Sequence, residues 1–142
     1  MLMLAAVLFC AALPAVADNG RTISRDELPR QARDLLSAFF GDVEVSRSRS
    51  EQALFERTYK VLLADGTTIE FDRDGRWTEI ETKRGSVPAS VIPQAICDVL
   101  DADFGGAGVR SIERKRRGWE VETDGGVELR FDNDYRLVEA DY

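Results

Sequence analysis

Residues 59–76 read Tyr59-Lys60-Val61-Leu62-Leu63-Ala64-Asp65-Gly66-Thr67-Thr68-Ile69-Glu70-Phe71-Asp72-Arg73-Asp74-Gly75-Arg76. Tyr59, Val61 and Leu63 alternate, Asp65-Gly66 supplies a tight turn, and Thr67, Ile69 and Phe71 alternate again, which is the period-two signature of an antiparallel hairpin. The pattern returns at residues 119–136 with a constant offset and no gap: Val61, Gly66, Phe71, Asp72, Asp74 and Arg76 reappear as Val121, Gly126, Phe131, Asp132, Asp134 and Arg136. Self-similarity on this scale marks a duplicated supersecondary unit.

Upstream of each hairpin the period changes. Leu28, Ala32, Leu35, Leu36 and Phe39 fall on one helical face, with Asp26 as the expected cap, Pro29 in the first turn and Gly41 as the stop. The Ser24-x-x-Glu27 capping box is set aside, because it would push Pro29 into the helix interior. Val91, Ile92, Ala95, Ile96, Val99, Leu100 and Phe104 form the second stripe, expected to start near Ser90 and to end at Gly105-Gly106. Further strands are expected over residues 43–49, 76–81, 109–116 and 136–141. A unit of about 60 residues buries only about 60% of its unfolded surface, so two such units are expected to share a sheet. The fold class expected is α+β: two tandem helix-then-antiparallel-strand repeats, residues 24–81 and 82–142, in two layers with both helices on one face of the sheet. Residues 82–87 are read as the hinge between them.

Residues 1–17 are apolar, end in Ala15-Val16-Ala17, and give way abruptly to Asp18-Asn19-Gly20, the pattern of a cleavable export signal. The run is shorter than the roughly 20 residues of a spanning helix, so no stable membrane insertion is expected after cleavage, and the protein is expected to be periplasmic or secreted. The basic segment that usually opens such a leader is missing, so either the free amino group stands in for it or the true start lies upstream. Cys10 would be lost with the leader; bulky Phe9 before it argues against lipid attachment. That leaves Cys97 as the only mature thiol, in an apolar helical stretch where a small buried hydrophobe is expected.

At this point the residues resemble the PepSY-like proteins of bacterial periplasms, which are similar in fold to the beta-lactamase inhibitor protein. The likeness lies in Leu28-Pro29 and Val87-Pro88 ahead of the helices, the aromatic-x-Val strands with their glycine turns, and the Phe-Asp-x-Asp-Gly-x-Trp run from Phe71 to Trp77. It covers residues 26–139. The second half departs from it, with Tyr135 in place of the turn glycine and Leu137 in place of the tryptophan. The resemblance implies an exported, non-enzymatic domain that binds or inhibits proteins, and it brings no catalytic residues.

The composition points the same way. The chain of 142 residues has no histidine, which removes Ser-His and Cys-His nucleophile pairs and histidine metal sites. Its 19 Lys and Arg against 26 Asp and Glu leave a net charge of −7, which repels phosphate backbones and anionic lipid at long range, so no nucleic acid partner is expected. No cofactor is expected. The candidate binding surface is the sheet face opposite the helices, where Glu70, Asp72, Glu120, Glu122, Glu128 and Asp132 are expected to point, offering an acidic face to a basic protein or peptide; Tyr59 and Trp119 are read as core rather than as exposed anchors. The alternative is calcium or small-ligand binding at Glu70 to Glu81, where Asp72, Asp74, Gly75 and Glu81 occupy positions 3, 5, 6 and 12 of a calcium loop. Strand-like alternation on both flanks, and Arg130 and Tyr135 at the corresponding places of the second half, favour a plain hairpin turn there. The basic run Arg114-Lys115-Arg116-Arg117 is read as the guard of an edge strand rather than an anion site.

Overall fold

Alternation gives most strands one apolar and one polar face, and in the computed structural model, which describes residues 20–142, the strands build a single sheet. Its elements are β1 (Gly20–Ile23), α1 (Arg30–Phe39), β2 (Val45–Ala53), β3 (Glu56–Leu63), β4 (Thr68–Phe71), β5 (Trp77–Glu81), α2 (Gln94–Asp103), β6 (Val109–Lys115), β7 (Gly118–Thr123), β8 (Glu128–Phe131) and β9 (Leu137–Asp141). The leader expected over residues 1–17 lies outside the described residues. Among the described residues, no helix is long and apolar enough to cross a membrane.

The expected architecture of two tandem helix-strand repeats is corrected. Among the described residues, nine strands join one antiparallel sheet in sequence order, and two ten-residue helices are the only longer helical elements. The physical reason is that β5 pairs with β6, with Glu79, Ile80 and Glu81 opposite Glu113, Ile112 and Ser111, which spares each half an open edge. Residues 82–87, read as a hinge, are pinned instead: Thr82 N donates to Arg110 O at 2.9 Å and Val87 N to Val109 O at 2.7 Å. A ninth strand, β1, adds to the outer side of β2 with no sequence signal of its own.

One buried cluster runs through the whole molecule. Val61, Ile69, Phe71, Ile80, Ile112, Val121, Leu129 and Phe131 point to one face of the sheet, where Ala32 and Leu36 of α1 and Ile96 and Leu100 of α2 cover them. Each large apolar side chain fully buried here contributes about 1.5–3 kcal/mol. Phe40, not Phe39, is the aromatic residue that α1 buries; Phe39 stays exposed.

Both helix starts are also corrected. The ring of a proline clashes with a helical backbone at the residue before it. Leu28 and Ile92 are accordingly extended (ψ 148° and 138°), and each helix begins only after its proline, at Arg30 and Gln94. Asp26 and Ser90 therefore cap neither helix. The Ser24-x-x-Glu27 box closes a short 3-10 turn over Arg25–Glu27, with Ser24 N donating to Glu27 Oε2 at 2.8 Å.

The first turn of α1 rests on the β4–β5 turn because Gly75 has no side chain. Gly75 is left-handed (φ +84°), and a Cβ there would lie 2.7 Å from Pro29 Cβ and 2.9 Å from the Ala32 backbone nitrogen. Gly75→Ala is expected to cost about 2–3 kcal/mol in urea unfolding, from backbone strain plus displacement of the helix.

Candidate functional site: the acidic outer face of the sheet

Antiparallel partners stand directly opposite one another, so successive registers define rows of side chains across the sheet. One such row on the solvent face runs Arg49, Lys60, Glu70, Glu79, Glu113, Glu120, Arg130, Glu139, one residue from each strand from β2 to β9. Four carboxylates on four adjacent strands form its centre. Two residues along the strands lies a second row, Thr68, Glu81, Ser111, Glu122, Glu128 and Asp141. Glu79, Ser111, Glu113, Glu120, Glu122, Glu128, Arg130 and Asp141 line a shallow depression of about 260 Å³ between the rows.

Cations flank the carboxylates without filling the middle. Lys60 Nζ lies 3.0 Å from Glu70, Lys115 Nζ lies 2.9 Å from Glu113 and 3.6 Å from Glu120, and Arg130 lies 2.9 Å from Glu139. The hydrogen bond to Glu70 holds the Lys60 ammonium above its ordinary pKa. Among the described residues, Glu79 makes no such pair. Its carboxyl is held above the ordinary value of 4.5, first by partial burial and then by the like charges of Glu70, Glu113 and Glu81.

The expected site residues divide. The structure brings Glu70, Glu120, Glu122 and Glu128 together on this face. Asp72 and Asp132 sit beyond the strand ends, where each builds a turn: Asp72 Oδ1 accepts from Asp74 N and Arg76 N at 2.9 and 3.0 Å, and Asp132 Oδ1 accepts from Asp134 N and Arg136 N at 2.9 Å each. Of the alternative calcium set, Asp72 and Asp74 lie in the β4–β5 turn, and Glu81 lies at the far end of β5, opposite Thr68 and Ser111. Among the described residues, no three Asp, Glu or Cys side chains gather so as to hold a metal ion. Glu79, Glu113, Arg130 and Asp141 join the face unforeseen; their alternation with Ile80, Ile112, Leu129 and Ala140 was the available signal.

The basic run does not guard an edge, since β6 is paired on both sides. The Arg114 guanidinium lies 4.9 Å from the ring of Trp119 and 5.5 Å from that of Trp77 on the inner side, Lys115 turns to the outer carboxylates, and Arg116-Arg117 form the β6–β7 turn. Trp119 is buried, with its ring 5.6 Å from that of Trp77, and Tyr59 is partly buried against the core. The Cys97 thiol is half-buried, 3.7 Å from Ala89 O, and burial followed by Asp101 and Asp98 pushes its pKa up.

Residues 57–139 match the family described as PepSY-like and, provisionally, as beta-lactamase-inhibitor-like. Three solved structures are similar over nearly their entire length. A protein of the DUF2874 family from Bacteroides vulgatus, provisionally described as periplasmic, is 31% identical, with a TM-score of 0.86 over 89% of this chain and 99% of that one. A protein from Bacteroides thetaiotaomicron, provisionally described as calcium-regulated and periplasmic, is 31% identical, with a TM-score of 0.84 over 89% and 99%. A second Bacteroides vulgatus protein of unknown function, provisionally described as periplasmic, is 34% identical, with a TM-score of 0.80 over 87% and 99%. No curated protein matches the chain. The chain belongs to the PepSY-like, beta-lactamase-inhibitor-like family of periplasmic proteins.

Proposed function

We propose that the protein is a non-catalytic binding module, exported by cleavage of its leader after Ala17, whose acidic outer face docks a cationic segment of another protein or peptide. The observation that carries this reading is the unbroken row Glu70, Glu79, Glu113, Glu120. Like charges directly opposite on neighbouring strands are destabilising. Lys60 and Lys115 pair with Glu70, Glu113 and Glu120, so Glu79 is the member of the row for which a cationic partner supplies what the sheet does not. At about 4.8 Å between strands the four carboxylates span about 14 Å, within reach of several Lys or Arg of one extended segment. The face is shallow and open, so it suits a flat polypeptide contact better than a reaction that must exclude water.

The second reading is calcium or small-ligand binding at Glu70 to Glu81, favoured by the provisional description of the Bacteroides thetaiotaomicron relative as calcium-regulated. Calorimetric titration separates the two, with a lysine-rich peptide and calcium chloride as probes. The peptide is expected to bind at low ionic strength, to weaken as salt rises, and to lose most of its affinity in a Glu79→Gln/Glu113→Gln double variant. No heat at low salt, or heat unchanged in that variant, would reject the docking face. Calcium heat that disappears in Asp72→Asn/Asp74→Asn would establish the second reading instead.

The same row predicts a stability effect. Because folding raises the Glu79 pKa, the folded chain holds more protons than the unfolded one just above pH 4.5, so this group's contribution falls as pH rises through that window. Glu79→Gln is therefore expected to raise stability at neutral pH, by no more than about 0.5 kcal/mol once solvent screening is counted, and to give no gain below pH 4.5, as read from urea midpoints at the two pH values.

A further inference from the structure

Leu54 and Phe55 make the two-residue turn between β2 and β3 and are 92% and 95% exposed, the largest apolar side chains left so bare in the described chain apart from the terminal Tyr142. Leu54 is also left-handed (φ +54°), a conformation that costs a branched apolar residue energy and that Asn-Gly would adopt freely. Neither residue contributes to the core. A strained, wholly exposed Leu-Phe tip is what folding alone would remove.

Strand direction alternates, so the β2–β3, β4–β5, β6–β7 and β8–β9 connections all lie at one end of the sheet. The chain is acidic overall, yet beyond the carboxylate row this end is not. Residues 50–59, 71–78, 114–119 and 131–138 carry eight Lys and Arg against six Asp and Glu, with Lys115 among the former paired to Glu113 and Glu120 of the row. The long-range repulsion of anionic lipid expected from the net charge of −7 therefore does not describe this end. Its most basic point is the β6–β7 turn, where Arg116-Arg117 are exposed.

The two hairpins differ in height. Above the row Arg49 to Glu139, the last pair of β2–β3, Ala53 with Glu56, is four residues up, and the last pair of β6–β7, Lys115 with Gly118, is two residues up. At about 3.4 Å per residue β2–β3 runs about 7 Å farther past the row than β6–β7 does. Peripheral segments bury their apolar groups about 5–10 Å into the boundary between headgroups and acyl chains and use basic residues at headgroup level.

We propose that this end of the sheet is a peripheral membrane-contact site: Leu54 and Phe55 insert reversibly into an anionic lipid surface while Arg116 and Arg117 engage its headgroup phosphates. The acidic outer face begins two residues along the strands from the arginine turn and stands side-on to the bilayer.

The test uses residues 18–142, which contain every described element, without the apolar leader. A Phe55→Trp variant is mixed with vesicles of phosphatidylcholine containing roughly a quarter phosphatidylglycerol. Trp77 and Trp119 are buried, so a blue shift of emission over that of the parent protein reports insertion of the tip. Binding is expected to fall about ten-fold or more on vesicles of phosphatidylcholine alone, and likewise in Leu54→Ser/Phe55→Ser and in Arg116→Ser/Arg117→Ser. Circular dichroism and urea midpoints of the variants check that the sheet is intact, and Arg116→Lys/Arg117→Lys, which keeps the charge, should retain most of the binding. Absence of vesicle binding, an unshifted spectrum, or equal binding by the serine variants overturns the proposal, and the first of these would leave the tip to a protein pocket.

Discussion

Pairing of β5 with β6 is the contact on which the rest of this molecule depends. Without it each half would be a four- or five-stranded sheet with one helix, too small to remove enough apolar surface from water. With it, Ile80 and Ile112 meet at the centre of one inner face, and the core runs without a break from Ile23 to Phe131. The register of that single junction also carries the rows of the outer face across, because Glu79 meets Glu113 there and continues the line begun by Glu70.

This continuity has an electrostatic consequence. A sheet assembled from two acidic halves could have met with a cation opposite a carboxylate, but the observed register sets carboxylate against carboxylate. Lys60, Lys115 and Arg130 relieve the neighbours, whereas Glu79 has no close ion pair among the described residues and is the carboxyl whose pKa is raised. Acidic character thus concentrates on the broad face, while cations and the Leu-Phe tip collect at the end where alternate strands turn. The two surfaces share strands and meet at Lys115, which lies next to the arginine turn and pairs with Glu113 and Glu120 of the face.

Much of the local structure was legible. Alternation located the hairpins of β3–β4 and β7–β8, and the glycine turns located their reversals. The helix stripes are legible through their buried residues Ala32, Leu36, Ile96 and Leu100, but each helix starts later than its stripe, because Pro29 and Pro93 keep the residues before them extended. Asp72 and Asp132 follow the outward parity of their strands, yet local hydrogen bonds to the backbone take them out of the face and into turns. Arg114 to Arg117 had the composition of an edge guard, and only the strand order shows that β6 is interior.

By itself, the order of residues determined that strands would alternate apolar and polar, where they would turn, and that one of their faces would be acidic, because these depend on neighbours close in sequence. Only the tertiary structure decided that nine strands form one sheet, that Glu79 and Glu113 oppose each other, and that Leu54-Phe55 and Arg116-Arg117 share one end. The reason is physical: period-two patterning specifies which way a side chain points, but shifting one strand against its neighbour by two residues preserves that direction and changes every cross-strand partner. Which charges meet is settled by how the apolar side chains of the inner face interlock, and those contacts join residues far apart in the chain.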